Sequence, residues 1–184
     1  MRFRETKLKD VFVVEPELIE DERGFFACSW VPMEFENHGL NPRLVQCNIS
    51  YNKRSGTVRG MHFQIPPHQE AKLVRCTKGA IFDVALDLRR DSPTRYQWLA
   101  AELSAENHRI LYIPEGCAHG YQTLTDGAEI FYQMSEYYHP ESAAGVRWSD
   151  PLFGIEWPLP VTVIAERDAT YPLVGASQPA AADD

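Results

Sequence analysis

The chain has 184 residues, 44% hydrophobic and 24% charged, enough for one substantial core of ordinary globular composition. Its formal net charge of -8 and pI near 5.2 argue against nucleic acid or an anionic membrane as a partner, but leave room for a small anionic ligand gripped by local arginines. No apolar run approaches a membrane span, the start lacks a signal-peptide core, and the four cysteines (Cys28, Cys47, Cys76, Cys117) have neither disulfide nor zinc spacing, so free thiols in a reducing cytoplasm are expected.

Leu8 to Ile19 reads as one or two short strands, Asp21 to Gly24 as a turn, Phe25 to Trp30 as a strand, and Pro32 to Gly39 as a short helix closed by Gly39 and Pro42. Arg43 to Tyr51 alternates. Val45, Cys47, Ile49 and Tyr51 form an apolar face, while Leu44, Gln46, Asn48 and Ser50 form a face too polar for an ordinary core. In Arg59-Gly60-Met61-His62-Phe63-Gln64, Met61 and Phe63 share a packing face, and His62 and Gln64 share a face suited to lining something polar. For His62 alone, a buried histidine satisfied by one hydrogen bond is the ordinary reading. Lys72 to Cys76 and Ala80 to Leu88 read as strands joined by a hairpin-type turn at Lys78-Gly79. Trp98 to Leu103, Ile110 to Ile113, Gly120 to Leu124 and Ala128 to Met134 continue the strand pattern. Trp148 and Trp157 anchor a proline-punctuated segment, and Val161 to Ala165 is a last strand. Many short strands with a turn every eight to twelve residues or so predict an all-β sandwich or barrel. Residues 1–174 are expected to form a single domain, and 175–184 a disordered acidic tail.

Two motifs narrow the fold. Pro114-Glu115-Gly116-Cys117-Ala118-His119 resembles the second cupin motif, and Gly56 followed by five residues and then His62 resembles the start of the first. The predicted fold is a cupin-type double-stranded β-helix, or jelly roll, with a few short helices. Metal-binding cupins have a further histidine at the position of Gln64. An amide is a poor transition-metal ligand, and His62 with His119 falls short of three ligands. His68 and Glu70 have the wrong spacing to complete the set on one strand face. The expected site is therefore metal-free and polar, built from Arg59, His62, Lys72, Asp83, His119, Tyr132, Tyr138 and Asp168, a set suited to proton abstraction beside a carbonyl.

Collinear segments then carry a specific resemblance. Asp21-Glu22-Arg23-Gly24-Phe25-Phe26, Gln46-Cys47-Asn48-Ile49-Ser50, Arg59 to Gln64, Ala71-Lys72-Leu73-Val74, Asp83 to Arg89, Asp91 to Thr94, Pro114 to Gly120, Tyr132 with Tyr137-Tyr138, and Trp148 to Pro151 are similar to the dTDP-4-dehydrorhamnose 3,5-epimerase family. The resemblance implies an isomerase needing neither metal nor organic cofactor, acting on a nucleotide-linked 4-keto-6-deoxyhexose at C3, C5 or both. By resemblance, His62 is the base, Asp168 orients it, Lys72 stabilises the enolate, and Tyr132 is the acid. Arg23 and Arg59 grip the pyrophosphate, and Gln46 and Asn48 contact the nucleotide. Phe26 and Tyr138 stack on the base, and His119 and Arg167 complete the substrate contacts. Asp83 is a candidate partner for Lys72. A homodimer is implied, in which Arg23 and Phe26 reach the neighbouring site. The chain departs from the family pattern at Cys28 and Ala143, where acidic residues are common, and this bears on the choice of base and sugar. A single-centre epimerase, a metal-dependent cupin and a non-catalytic sugar-nucleotide-binding module are the competing readings.

Overall fold

A computed structural model describes residues 1–174, so the expected acidic tail lies outside the described residues. Two six-stranded sheets face each other. The first runs β1 (Arg2–Glu5), β2 (Phe12–Glu15), β10 (Ile110–Ile113), β7 (Lys72–Lys78), β12 (Ala128–Met134), β5 (Gln46–Asn52). The second runs β13 (Ala143–Gly145), β6 (Thr57–Gln64), β11 (Cys117–Thr123), β8 (Ala80–Asp87), β9 (Trp98–Ser104), with β14 (Val163–Ile164) added in parallel to β6. A separate hairpin pairs β3 (Ile19–Asp21) with β4 (Gly24–Phe26). The helices are α1 (Pro32–Asn37) and α2 (Glu166–Thr170). Among the described residues no helix is long and apolar enough to cross a membrane.

The expected jelly roll is what forms, with local corrections. The Lys78-Gly79 turn joins no hairpin. β7 and β8 lie in opposite sheets, so Gly79, with φ of +73°, turns the chain from one layer into the other. The strand expected over Phe25 to Trp30 stops at Phe26. The α2 helix was not anticipated. At five residues it is too short for a periodic signal, and its N-cap residue, Ala165, supplies no side-chain cap.

The space between the sheets is divided along its length. At one end Leu8, Val11, Val74, Ile81, Leu103, Leu111, Ile113 and Ile130 pack into an apolar core. Full burial of each such side chain contributes about 1.5–3 kcal/mol. At the other end the inward positions are polar and bound a cavity. The outer face of the second sheet is sealed by a different cluster. Met61, Val84 and Leu86 are fully buried there under Val146, Phe153 and Trp157, and the Trp157 indole donates to the Trp148 carbonyl at 3.0 Å. Strand β8 is thus buried on both sides, which accounts for its apolar residues on both faces, interrupted by the buried Asp83 and Asp87.

Strand β5 is the reverse of an ordinary edge strand. Gln46, Asn48 and Ser50 turn inward to the cavity, while Cys47, Ile49 and Tyr51 face outward, with Ile49 68% exposed and Tyr51 52% exposed.

Candidate active site

The cavity has a volume of about 410 Å³ and is walled by both sheets. Strand β6 supplies His62, and β11 beside it supplies His119 and Tyr121. From the facing sheet come Tyr132 on β12 and Lys72 at the start of β7. Arg59 and His62 are three residues apart, so a regular strand would send them to opposite faces. They share the cavity because the pairing of β6 with β11 slips by one residue between them: His62 opposes His119, but Arg59 opposes Tyr121. The extra residue on β6 is a bulge, which re-aims side chains in this way. Gly60 makes it possible. Its φ is +130°, and a Cβ there would lie 2.5 Å from the Gly120 Cα.

That geometry also frees the Gly60 N–H, which donates to Asp168 Oδ2 at 3.1 Å. The other oxygen of Asp168, Oδ1, lies 2.7 Å from His62 Nε2. Burial pushes the Asp168 carboxyl up, but the His62 hydrogen bond and charge, the Gly60 N–H and Arg167 together hold it below the usual carboxylate range. Asp168 is therefore ionised near neutrality and accepts, so His62 carries its proton on Nε2 and keeps the Nδ1 lone pair for a base. The Arg167 guanidinium approaches the same Nε2 at 3.4 Å. Since that nitrogen already donates to Asp168, the contact is electrostatic proximity rather than a hydrogen bond.

Burial raises the pKa of Tyr132, with Arg59 opposing, so the phenol is protonated at neutral pH. Lys72 Nζ lies 2.9 Å from Glu70 Oε1, and both side chains are nearly sealed from solvent. The expected Asp83–Lys72 partnership is therefore not a direct ion pair, although the Lys72 charge still opposes the effect of burial on Asp83. Asp83 Oδ1 lies instead 2.8 Å from His119 Nε2, and burial raises the Asp83 pKa against the opposing effect of His119. Arg59 Nε donates to Asn52 Oδ1 at 2.8 Å, and the same Asn52 amide donates to the Tyr121 hydroxyl at 3.2 Å.

Of the predicted site residues, Gln46, Asn48, Arg59, His62, Lys72, His119, Tyr132, Tyr138 and Arg167 line this cavity, and Asp168 reaches it through His62. Gln46 ties two of them together, accepting from the Tyr138 N–H at 2.9 Å and donating to Asn48 at 3.1 Å. Arg23 and Phe26 are not brought to it. They project from the β3–β4 hairpin, Phe26 70% exposed and Arg23 paired with Asp21. Cys28 is exposed and does not line the cavity, whereas Ala143 does.

Tyr121 and Tyr171 line the cavity and are not among the expected site residues, and Glu70, weighed in the sequence only as a metal ligand, lines it too. The Glu-x-Lys spacing of Glu70 and Lys72, like the His-x-Tyr spacing of His119 and Tyr121, is a same-face signal in an extended chain. Tyr171 follows an unforeseen helix and had no such signal.

The Gln64 amide is wholly engaged with backbone. It donates to the His68 and Tyr137 carbonyls at 2.7 and 3.1 Å and accepts from the His139 N–H at 2.6 Å. His68, weighed in the sequence as a possible metal ligand, stacks on His139 at 3.6 Å and 8°. Among the described residues, the grouping with metal-ligand spacing is these two with Glu141. Parallel rings so stacked do not direct their lone pairs at one ion.

A histidine held by a carboxylate on one sheet faces a protonated tyrosine and a lysine on the other, inside a jelly roll of the cupin class, an arrangement suited to proton transfer on both faces of one carbon. Residues 5–175 match the family model described as dTDP-4-dehydrorhamnose 3,5-epimerase. The enzyme of that name from Salmonella typhimurium is 44% identical over 171 residues, 92% of this chain and 93% of that one. The crystal structure of the Elizabethkingia anophelis enzyme superposes with a TM-score of 0.93 at 38% identity, covering 96% of this chain and 98% of that one. The Legionella pneumophila enzyme, solved in complex with dTDP-4-keto-L-rhamnose, gives 0.89 at 37% identity, covering 96% and 94%. The chain belongs to the dTDP-4-dehydrorhamnose 3,5-epimerase family and is an isomerase of nucleotide-linked deoxysugars.

Proposed function

We propose that His62 and Tyr132 invert the carbons flanking the carbonyl of a dTDP-linked 4-keto-6-deoxyhexose, working from opposite walls of the cavity. The observation that carries this reading is the placement of the His62–Asp168 pair on one sheet and Tyr132 on the other. The 4-keto group acidifies the protons at C3 and C5. His62 Nδ1 takes one of them, and Asp168 stabilises the imidazolium that forms. Charge passes to the carbonyl oxygen, where the Lys72 ammonium donates a hydrogen bond to the enolate. Tyr132 then delivers its phenol proton to the opposite face of the same carbon. The configuration is inverted and no net proton is consumed once His62 releases its proton to solvent and Tyr132 regains one.

Arg59 grips the diphosphate, and the Asn52 contact sets the plane of its guanidinium. Gln46, Asn48, His119 and Arg167 contact the rest of the substrate, and Tyr138, 51% exposed at the rim, stacks on the base. The Ala143 side chain offers no acceptor at the rim, so selection among bases and sugars falls to the other lining groups.

The working unit is a homodimer. The outward apolar face of β5 and the exposed Ile19, Phe25 and Phe26 of the hairpin support this, and they leave Arg23 and Phe26 available to a neighbouring site. Residues 1–174 act as one domain in the cytoplasm, a reading supported by the sheets' shared core and by four free cysteines, two of them buried with pKa values raised by burial to about 11 (Cys76) and about 12 (Cys117).

Proton NMR in D2O with dTDP-4-keto-6-deoxyglucose tests the reading. Wild type washes out the C3 and C5 protons, and His62→Ala washes out neither. Washout at one position makes the protein a single-centre epimerase. Binding without exchange by folded wild type makes it a non-catalytic binding module and defeats the assignment.

A further inference from the structure

Lys72 enters the cavity from the first position of β7, where its backbone is paired on both sides, with Ile113 and with Met134. The ladder fixes the Cα, but four rotatable bonds separate it from the ammonium. The first hold on Nζ is Glu70 Oε1 at 2.9 Å, and the second, the His62 carbonyl, is long at 3.4 Å. The Glu70 and Lys72 side chains are 3% and 9% exposed. Glu70 Oε2 is buried without a hydrogen-bond donor, so Lys72 is the one ion-pair partner Glu70 has among the described residues. A buried carboxylate so placed is costly unless a cation stays beside it. The other buried carboxylate near the lysine, Asp83, meets His119 through Oδ1 and keeps Oδ2 buried without a partner; it feels the Lys72 charge but makes no direct ion pair with it.

We propose that Glu70 is the positioning residue of Lys72, holding the ammonium so that one of its three N–H groups points where the enolate oxygen forms. This rests on the role of Lys72 proposed above. Of the three donors, one is spent on Glu70, one leans towards the His62 carbonyl, and the third is left for substrate. Because charge reaches the carbonyl oxygen only in the transition state, misplacing Nζ lowers kcat and leaves KM nearly intact.

A double-mutant cycle with Glu70→Gln and Lys72→Met tests this, with kcat, KM and thermal midpoint measured for each. Lys72→Met is expected to lower kcat about 100- to 1000-fold. Glu70→Gln keeps the shape and removes the charge, and is expected to lower kcat about 10- to 100-fold with KM within about threefold. The double variant is expected to be no slower than Lys72→Met, because Glu70 acts only through the lysine. Glu70→Asp, which keeps the charge but shortens the reach, should fall between wild type and Glu70→Gln, and it stands in if the amide variant does not fold. Multiplying losses in the double variant, or a lowered thermal midpoint with unchanged kcat, would overturn the proposal. If Lys72→Met keeps full kcat, the enolate role itself is lost. If only Glu70→Gln and Glu70→Asp keep it, the positioning role alone is lost.

Discussion

His62 Nε2 stands 2.7 Å from Asp168 Oδ1 although 106 positions separate them. The contact depends on α2 docking against β6 and on the Gly60 N–H, which pins the second carboxylate oxygen. Asp168→Asn is isosteric but places a neutral amide against the ring, freeing His62 to carry its proton on the wrong nitrogen. The expected result is a fall in kcat of about 100- to 10,000-fold with the fold intact, measured by steady-state assay alongside circular dichroism.

Tyr132→Phe separates the two halves of the reaction. His62 can still remove a proton and return a deuteron from its own face. The variant should incorporate solvent deuterium at C3 or C5 while forming inverted product about 100-fold or more slowly. NMR in D2O reads both quantities at once; inverted product at the wild-type rate would remove Tyr132 from the acid role.

Much of this site was legible in the strand pattern. The polar alternation of Gln46, Asn48 and Ser50 marked a strand too polar for an ordinary core, and two spaced motifs singled out His62 and His119, which the structure sets opposite each other on neighbouring strands. Other parts depend on events that period-two reasoning does not contain. Arg59 joins His62 only through the bulge at Gly60, and Asp168 arrives on a five-residue helix whose partner strand lies far upstream. The Lys78-Gly79 turn has hairpin chemistry, yet it changes sheets because both β7 and β8 find their partners elsewhere. Glu70 was legible as a same-face neighbour of Lys72, but only burial shows that it binds the ammonium rather than facing solvent.

Arg59 is expected to act on binding. Charge-assisted hydrogen bonds contribute about 1.5–3 kcal/mol, so Arg59→Met should raise KM roughly 10- to 100-fold with a smaller effect on kcat. The affinity of dTDP alone, measured by calorimetry, should fall in parallel. An unchanged dTDP affinity would move the diphosphate away from this residue.

Acid stability should centre on Asp87 rather than on the catalytic pair. Burial raises its pKa, but hydrogen bonds from Arg89, Ser92 and Thr94 outweigh burial and bring it to about 2, against 3.8 unperturbed. A depressed pKa stabilises the fold above the unfolded value, and that stabilisation disappears as pH falls through the folded one. The difference is worth about 2 kcal/mol, present in full above about pH 4 and lost towards pH 2. Denaturant melts from pH 7 to pH 2 should show Asp87→Asn less stable by about that amount at pH 7 and flatter across the acid limb.

The apolar outer face of β5 gives a solution test of assembly. Ile49→Asp places a charge where Cys47 and Tyr51 flank it on the exposed edge. Light scattering should report twice the chain mass for wild type and a single chain for the variant. Activity should fall with the mass if Arg23 and Phe26 serve the neighbouring cavity.

Gln64 occupies the place where metal-binding jelly rolls carry a ligand, and here its amide is the knot between three strands of backbone: its own, the His68 turn and the Tyr137–His139 segment. A histidine put back at that position would gain a lone pair for an ion and untie the mouth of the barrel in the same stroke. Passage between the two kinds of jelly roll is therefore not a matter of exchanging one ligand. It requires rebuilding the rim that frames the substrate, so each chemistry is bound to its own doorway.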